Sequence, residues 1–310
     1  MTTKDPIPKS TIFSHVLSTI QYDHFLAGVS GGVISSFLLH PFDLVKVRFQ
    51  VTESKNPLQS LPYRPRYNGL VDAFRVIYKE NGIRHGLYQG VTPNVIGAGL
   101  SWGLYLFAYN TIIVLTTDSR QKKPLTFKDR IVYSTIAGLS TVVITNPIWL
   151  LKTRLCLQYS NPSTVHYRGM IDAIKKIYRY EGIQAFYKGL VPGLFGTIHG
   201  TVQFVSYEQM KSLYCSMMNT SQLSTPIILT FSALSKLLAA TTTYPYQVVR
   251  TRLQDQHQRY NGVLDVIIIT YRREGIQGFY KGLLPTLYRV VPACCIVFFT
   301  YENVIKLFKQ

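Results

Sequence analysis

The sequence predicts an all-α membrane protein: six transmembrane helices in three pseudo-threefold repeats, with three short amphipathic helices along one membrane face. Three observations carry that expectation. Charge is scarce, at 15% Asp, Glu, Lys and Arg against about 25% in ordinary soluble chains, and 47% of residues are hydrophobic. The charge is also partitioned. None occurs in 24–42, 85–117, 131–151 or 189–207, while 212–249 and 282–301 hold one each, Lys236 and Arg289. Each stretch supplies the roughly 20 residues that cross a bilayer core at about 1.5 Å per residue. The third observation is an internal repeat, sought first because a missed repeat misassigns the whole fold.

The repeat has four landmarks in a fixed order. Pro41-Phe42-Asp43-Leu44-Val45-Lys46-Val47-Arg48 returns as Pro147-Ile148-Trp149-Leu150-Leu151-Lys152-Thr153-Arg154, and again as Pro245-Tyr246-Gln247-Val248-Val249-Arg250-Thr251-Arg252. Tyr67-Asn68-Gly69, Tyr167-Arg168-Gly169 and Tyr260-Asn261-Gly262 follow, with Asp72, Asp172 or Asp265 three residues after the Gly. A turn between two glycines comes next: Gly82 to Gly90, Gly182 to Gly189, Gly275 to Gly282. Pro93, Pro192 and Pro285 then stand three residues further on. The repeats are placed at 20–117, 125–215 and 222–308.

Each landmark has a physical reading. Pro41, Pro147 and Pro245 remove a backbone donor near the ends of the odd spans and are expected to kink them toward a common axis. Gly28 and Gly32, and Ser134 and Gly138, are spaced for close helix approach in lipid. Segments 69–80, 169–180 and 262–273 carry apolar residues at three- and four-residue spacing between basic ones, the pattern of helices lying in the interface. The glycine turn after each can present amide groups to a lipid phosphate.

Net charge is +18, and 21 of the 33 Lys and Arg fall in 46–90, 152–188 and 250–281. That clustering after odd spans argues for sidedness rather than nucleic-acid binding: the basic segments face one compartment and both termini the other. Met1 to Asp23 has no Arg, so it reads as neither an Arg-rich transit peptide nor a secretory signal. Cys156, Cys215, Cys294 and Cys295 lack metal-site spacing and read as free thiols. Asn219-Thr220-Ser221 is a formal sequon of no evident use. No nucleophile–base constellation stands outside the spans, so no enzyme activity and no cofactor is expected.

The linked motifs resemble those of the mitochondrial carrier family, whose signature is Pro-x-acidic-x-x-basic followed by a linker helix and a glycine turn. The resemblance covers roughly residues 20 to 308. It implies a monomeric six-helix barrel in the mitochondrial inner membrane, alternating access between cytosol and matrix, and the basic segments on the matrix side. Membrane lipids, cardiolipin among them, are the implied partners beside a small anionic solute.

The resemblance also assigns roles. Signature acids and bases close the matrix side, but only Asp43 among the acids stands; Trp149 and Gln247 take the other two places. With bases Lys46, Lys152 and Arg250, one ionic link, Asp43 to Lys152, can be drawn. Trp149 and Gln247 substitute packing and hydrogen bonds, or else leave a gate that opens at lower cost. The cytoplasmic gate is intact only as Tyr207-Glu208-Gln209-Met210-Lys211; Glu302 stands in repeat three with Lys306 displaced.

For the solute, Arg289 is an intramembrane charge and hence a site candidate. It aligns with Gly97 and, depending on whether one counts from the acid or the Pro, with Phe195 or Gly196. Lys236 adds a second cation at the level of Gly32 and Gly138. Trp102 and Tyr105, a turn apart, offer rings to a flat heterocycle. His199 reads as a packed or hydrogen-bonded residue. Within the family, Trp149, Trp102 and the run Pro292-Ala293-Cys294-Cys295-Ile296 resemble members that carry folate or FAD; members that carry NAD or pyrimidine nucleotides share Trp149. A proton-leak or scaffold protein would have the same fold but no use for Arg289 and Trp102.

Overall fold

The computed structural model describes residues 22–52, 64–65, 67–116, 127–159, 166–218, 223–258 and 260–309, and of these the side chains of Tyr301 and Glu302 among a few others are not described. The expectations placed on the N-terminal segment, on the 219–221 sequon and on the Glu302 side chain lie outside the described residues. Among those described, every regular element is helical.

Repeat one contains α1 (Tyr22–Leu38), α2 (His40–Val51), α3 (Leu70–Asn81) and α4 (Val91–Thr116). Repeat two contains α5 (Phe127–Cys156), α6 (Met170–Glu181), α7 (Leu190–Leu194) and α8 (Gly196–Met218). Repeat three contains α9 (Thr225–Thr242), α10 (Tyr244–Gln254), α11 (Val263–Glu274) and α12 (Leu283–Lys309). The ring runs α1, α4, α5, α7/α8, α9/α10, α12, and closes where α12 packs on α1.

Two of the three signature prolines act as expected. The first span breaks at Leu39, with α1 and α2 bent by 61°, and the fifth breaks at Thr243 between α9 and α10. At Pro147 the helix is continuous, and α5 runs unbroken through it. The fourth span divides at Phe195 into α7 and α8, three residues after Pro192.

By length and composition, α4, α5 and α9 are apolar enough to cross a membrane, and the bent α1–α2 pair makes a fourth. Six were expected. Among the described residues, the fourth span is divided into α7 and α8, and α8 carries Gln203, Glu208, Gln209 and Lys211, while in α12 the apolar run 283–300 holds a single charge, Arg289. Outward faces are nonetheless greasy: beyond Gly97 no residue of α4 is buried within the protein, and Phe37, Ile136, Ile144, Leu115 and Phe299 stand exposed. Apolar side chains in that number belong in hydrocarbon.

The small-residue expectation needs correction in repeat one, while in repeat two a notional Cβ on Gly138 would meet Thr197 at 3.4 Å. Gly28 and Gly32 meet no neighbour within 4 Å of a notional Cβ, whereas one on Gly31 would lie 3.2 Å from the Val297 carbonyl. Gly31 therefore admits α12 to α1.

Each short helix begins and ends alike. Asp72, Asp172 and Asp265 accept the amides of Asn68, Arg168 and Asn261 at 2.9, 2.9 and 3.0 Å, a carboxylate in the first turn serving otherwise orphaned donors. Ala73 and Ile77, Ala173 and Ile177, Val266 and Thr270 turn inward, fully or almost fully buried. Val71, Ile171 and Leu264 turn outward. Each helix stops at a glycine of positive φ (68°, 76° and 64° at Gly82, Gly182 and Gly275), a backbone that side chains with a Cβ resist.

The tightest layer lies at the basic end. Arg48, Arg154 and Arg252 are 1%, 0% and 3% exposed. Each Nε donates to a carbonyl at the C-terminal end of the next repeat's odd helix: Arg48 to Cys156 (3.2 Å), Arg154 to Gln254 (3.4 Å), Arg252 to Gln50 (3.0 Å). Those carbonyls are otherwise unserved, and the helix dipole favours a cation there. Arg154 is paired with Glu181 and Arg252 with Glu274, the latter at 2.8 Å. Burial works to raise the Glu181 carboxyl, but hydrogen bonds from Arg154 and Lys188 outweigh it and bring the pKa down to about 2. Repeat one has Asn81 in that place, and Arg48 bonds instead to Tyr67 Oη and Gln89 Oε1.

Candidate functional site

A chamber of about 780 Å³ lies inside the ring, lined by α1, α4, α9 and α12 with single residues from α2, α8 and α10. Among the described residues, its cationic lining is Lys46, Lys236 and Arg289, and no carboxylate lines it. Gly28, Gly32 and Ser35 supply a thin wall on α1, and Trp102 and Leu106 face it from α4. Below lies a smaller cavity of about 290 Å³ at the level of the signature motifs. Ser36, Lys46, Gln247 and Arg289 line both. They form the floor of one and the roof of the other.

Asp43 is the hub of this floor. Its carboxylate, 4% exposed, meets Lys152 Nζ at 3.3 Å and Arg289 Nη1 at 3.0 Å. Asn94 Nδ2 adds a donor at 3.3 Å, and also faces Nδ1 of His40 at 3.1 Å. His40 Nε2 donates to the Gln89 carbonyl at 2.9 Å, so its Nδ1 is the acceptor. The single ionic link expected between Asp43 and Lys152 is thus one of two. The second comes from Arg289, a residue expected only to hold solute.

The replaced acids are replaced differently. Lys46 Nζ donates to Gln247 Oε1 at 2.8 Å, a hydrogen bond standing where an ion pair would. Trp149 accepts no proton; its ring lies 5.4 Å from Lys152 Nζ and packs against Gly97, whose notional Cβ would come within 3.4 Å of it. Arg250 donates to Asn146 Oδ1 at 3.1 Å and lies against Gly193. The side chains of Trp149 and Gln247 thus pack and hydrogen-bond where the acids would stand.

Several expected site residues sit elsewhere. Gly97 is a packing position between α4 and α5, filled by Ile148 and Trp149. Gly196 faces Tyr246, whose hydroxyl would lie 3.3 Å from a notional Cβ there, and neither it nor Phe195 lines the chamber. The count from Arg289 fails here because the break at Phe195 shifts the register of the fourth span. Tyr105 is not in the lining; it meets the Trp102 ring edge-on at 6.3 Å and stacks on Tyr109 at 6.2 Å. Trp102 itself lines the chamber. His199, expected as a packed or hydrogen-bonded residue, bonds Thr243 Oγ1 through Nδ1 at 2.9 Å and also lines the chamber; sequence reasoning confined Lys46 to the gate. The signal for Lys46 was Gln247, which leaves it without an acid.

A further cross-repeat layer lies beneath. Arg64, in the connection after α2, is paired with Asp255 at the end of α10, and Tyr159 of repeat two lies under both Arg48 and Arg64, 5.1 and 6.0 Å from its ring. Burial would raise the Asp255 carboxyl; Arg64 and His257 hold it below the ordinary carboxylate range. At the other end, among the described residues, neither Glu208 nor Lys211 makes an ion pair.

Three consecutive segments, 20–120, 123–218 and 221–310, match the sequence model of the family described as mitochondrial carrier protein. A chloroplastic folate transporter of Arabidopsis thaliana is 39% identical over 94% of this chain and 96% of its own length. A mitochondrial nicotinamide adenine dinucleotide transporter of the same plant is 34% identical over 92% of this chain and 79% of its own. A corresponding transporter from Saccharomyces cerevisiae is 33% identical over 89% and 74%. With three family repeats end to end, a ring of helices around a cationic chamber and relatives of this extent, the chain belongs to the mitochondrial carrier family of multi-pass membrane transporters.

Proposed function

We propose that the protein carries folate, FAD or both between cytosol and matrix across the mitochondrial inner membrane, by alternating exposure of the central chamber. The observation that carries this reading is the chamber lining, which among the described residues has three cations, no carboxylate, and an indole in the wall. A solute bearing acid groups on a flat heterocycle complements that lining, since an intramembrane cation is costly without a counter-charge and rings stack on indole. The 39% identity to a folate transporter supports the folate choice. A second reading, NAD or a pyrimidine nucleotide, is supported by the two dinucleotide transporters at 34% and 33% identity. Uptake into liposomes holding the purified protein, with labelled folate, FAD, NAD and a pyrimidine nucleotide compared at equal concentration, decides among them. Uptake of none, with proton leak instead, would sink both.

Two predictions arise here. Trp102 is 58% exposed, so its ring is free to take a base or pterin. Trp102→Ala is expected to weaken solute binding by about 1–3 kcal/mol if a ring stacks there, read as the shift in Kd; an unchanged Kd would make Trp102 a lipid-facing or packing residue. For orientation, the basic segments face the matrix in this reading. Lys175 and Lys176 on α6 are then protease-protected in intact mitochondria while the 118–128 connection is cut. Cleavage near 175 from outside reverses the orientation. The family resemblance also suggests a monomer, with cardiolipin at the glycine turns.

A further inference from the structure

We infer that Lys46, which occupies the place of a gate lock, is a solute ligand in the state described here, and that the solute therefore brings at least two separated anionic groups. The inference rests on the chamber being the solute site, as proposed above. The three signature bases differ in what they face. Lys152 has Asp43 at 3.3 Å. Arg250 has only the neutral Asn146 amide, but its guanidinium is packed against Gly193 and lines the lower cavity alone. Among the described residues, Lys46 hydrogen-bonds the neutral Gln247 amide at 2.8 Å and forms no ion pair, and it opens on both cavities.

An ammonium has three donors and no acceptor, and one amide oxygen satisfies a single donor without supplying countercharge. The tyrosine face of Tyr244, 5.8 Å away, adds only a weak cation–π attraction. The one carboxylate nearby, Asp43, is already shared by Lys152 and Arg289. The floor thus holds Lys46, Lys152, Arg250 and Arg289 against a single acid. Desolvated charge of that kind is stabilised when an anion arrives. Lys46 and Arg289, on the shared floor, can receive one anionic group together. Lys236 lines the upper chamber only. It stands eleven residues before Gln247 and across the break at Thr243, up to roughly 16 Å of helical rise away, so it meets a different part of the solute. A second anion belongs there.

Gln247 is then the residue that sets specificity: by being neutral it leaves Lys46 to the solute. Gln247→Glu gives Lys46 an internal carboxylate and withdraws it. Equilibrium binding and thermal stabilisation are measured on the purified full chain with folate, FAD, NAD and UTP as probes, over a range of salt. For any probe the wild type binds, Lys46→Gln and Gln247→Glu are each expected to raise Kd about tenfold or more and to flatten its salt dependence, since one fewer charge pair is screened. Lys46→Arg is expected to keep most of the affinity. The unliganded Gln247→Glu protein is expected to melt at or above the wild-type temperature, which separates lost binding from lost folding. Wild-type Kd and salt slope in either charge variant would overturn the assignment of Lys46 alone. Failure of the wild type to bind any of the four overturns it together with the transport reading.

Discussion

Arg289→Ala is expected to abolish uptake of the anionic solute, and the same change should loosen the closed end of the carrier. The side chain does two things at once. It lines the chamber, where a planar fork can take a carboxylate or phosphate with two parallel hydrogen bonds, and its Nη1 lies 3.0 Å from Asp43 in the floor. A bound anion and Asp43 therefore compete for one guanidinium, so solute occupancy and gate tension are linked through this residue. Arg289→Lys should recover only part of the flux, because an ammonium lacks the fork. Flux and solute-induced thermal stabilisation are read side by side. If Arg289→Ala retains both at wild-type level, the anion is held elsewhere, and Lys236 is the next residue to change.

The fold was legible because lipid imposes its rules on the sequence directly. Charge-free runs, basic clusters after odd spans and a threefold repeat need no knowledge of side-chain contacts. The three amphipathic helices, with Asp72, Asp172 and Asp265 in their first turns, follow from local periodicity and capping. Helix breaks were less legible. Pro41 and Pro245 break their spans while Pro147 does not, since a missing donor can be absorbed where neighbours re-satisfy the freed carbonyl. That difference cannot be seen in the motif itself.

The site was legible in its residue types and illegible in its pairing. Arg289, Lys236 and Trp102 were found because a charge or indole in an apolar span stands out. Gly97 and Gly196 were misplaced because equal spacing from a landmark presumes equal helices, and the fourth span is broken at Phe195. The buried ring of Arg48, Arg154 and Arg252 was overlooked although every repeat ends its signature with it. Its cue was a covariation between landmarks: Glu181 and Glu274 appear with their lysines in repeats two and three, and Asn81 and Gln89 replace both in repeat one. Arg64 with Asp255 had no such cue, being a contact between a connecting segment and a distant helix end.

Asp43→Asn is expected to be the most disruptive single change in the gate. Asp43 is the sole carboxylate lining a floor that also holds Lys46, Lys152, Arg250 and Arg289, and it is almost completely buried. An amide of the same shape keeps a hydrogen-bond acceptor for Asn94 but removes the countercharge for Lys152 and Arg289 together. Stripping one partner from a buried pair costs about 3–5 kcal/mol. Because Asp43 makes these bonds with the basic end closed, that cost falls on the closed state. At about 1.4 kcal/mol per tenfold, the balance moves by a factor of a hundred or more toward the opposite opening, and net flux drops with it. Gln247→Ala loses one charge-assisted hydrogen bond, about 1.5–3 kcal/mol, and water entering the floor can replace part of it. Reconstituted flux and the unliganded melting temperature should therefore fall further for Asp43→Asn than for Gln247→Ala. Equal and mild effects of the two would mean that the ionic hub does not close this end, and that the arginine ring below it, with Arg64 and Asp255, does.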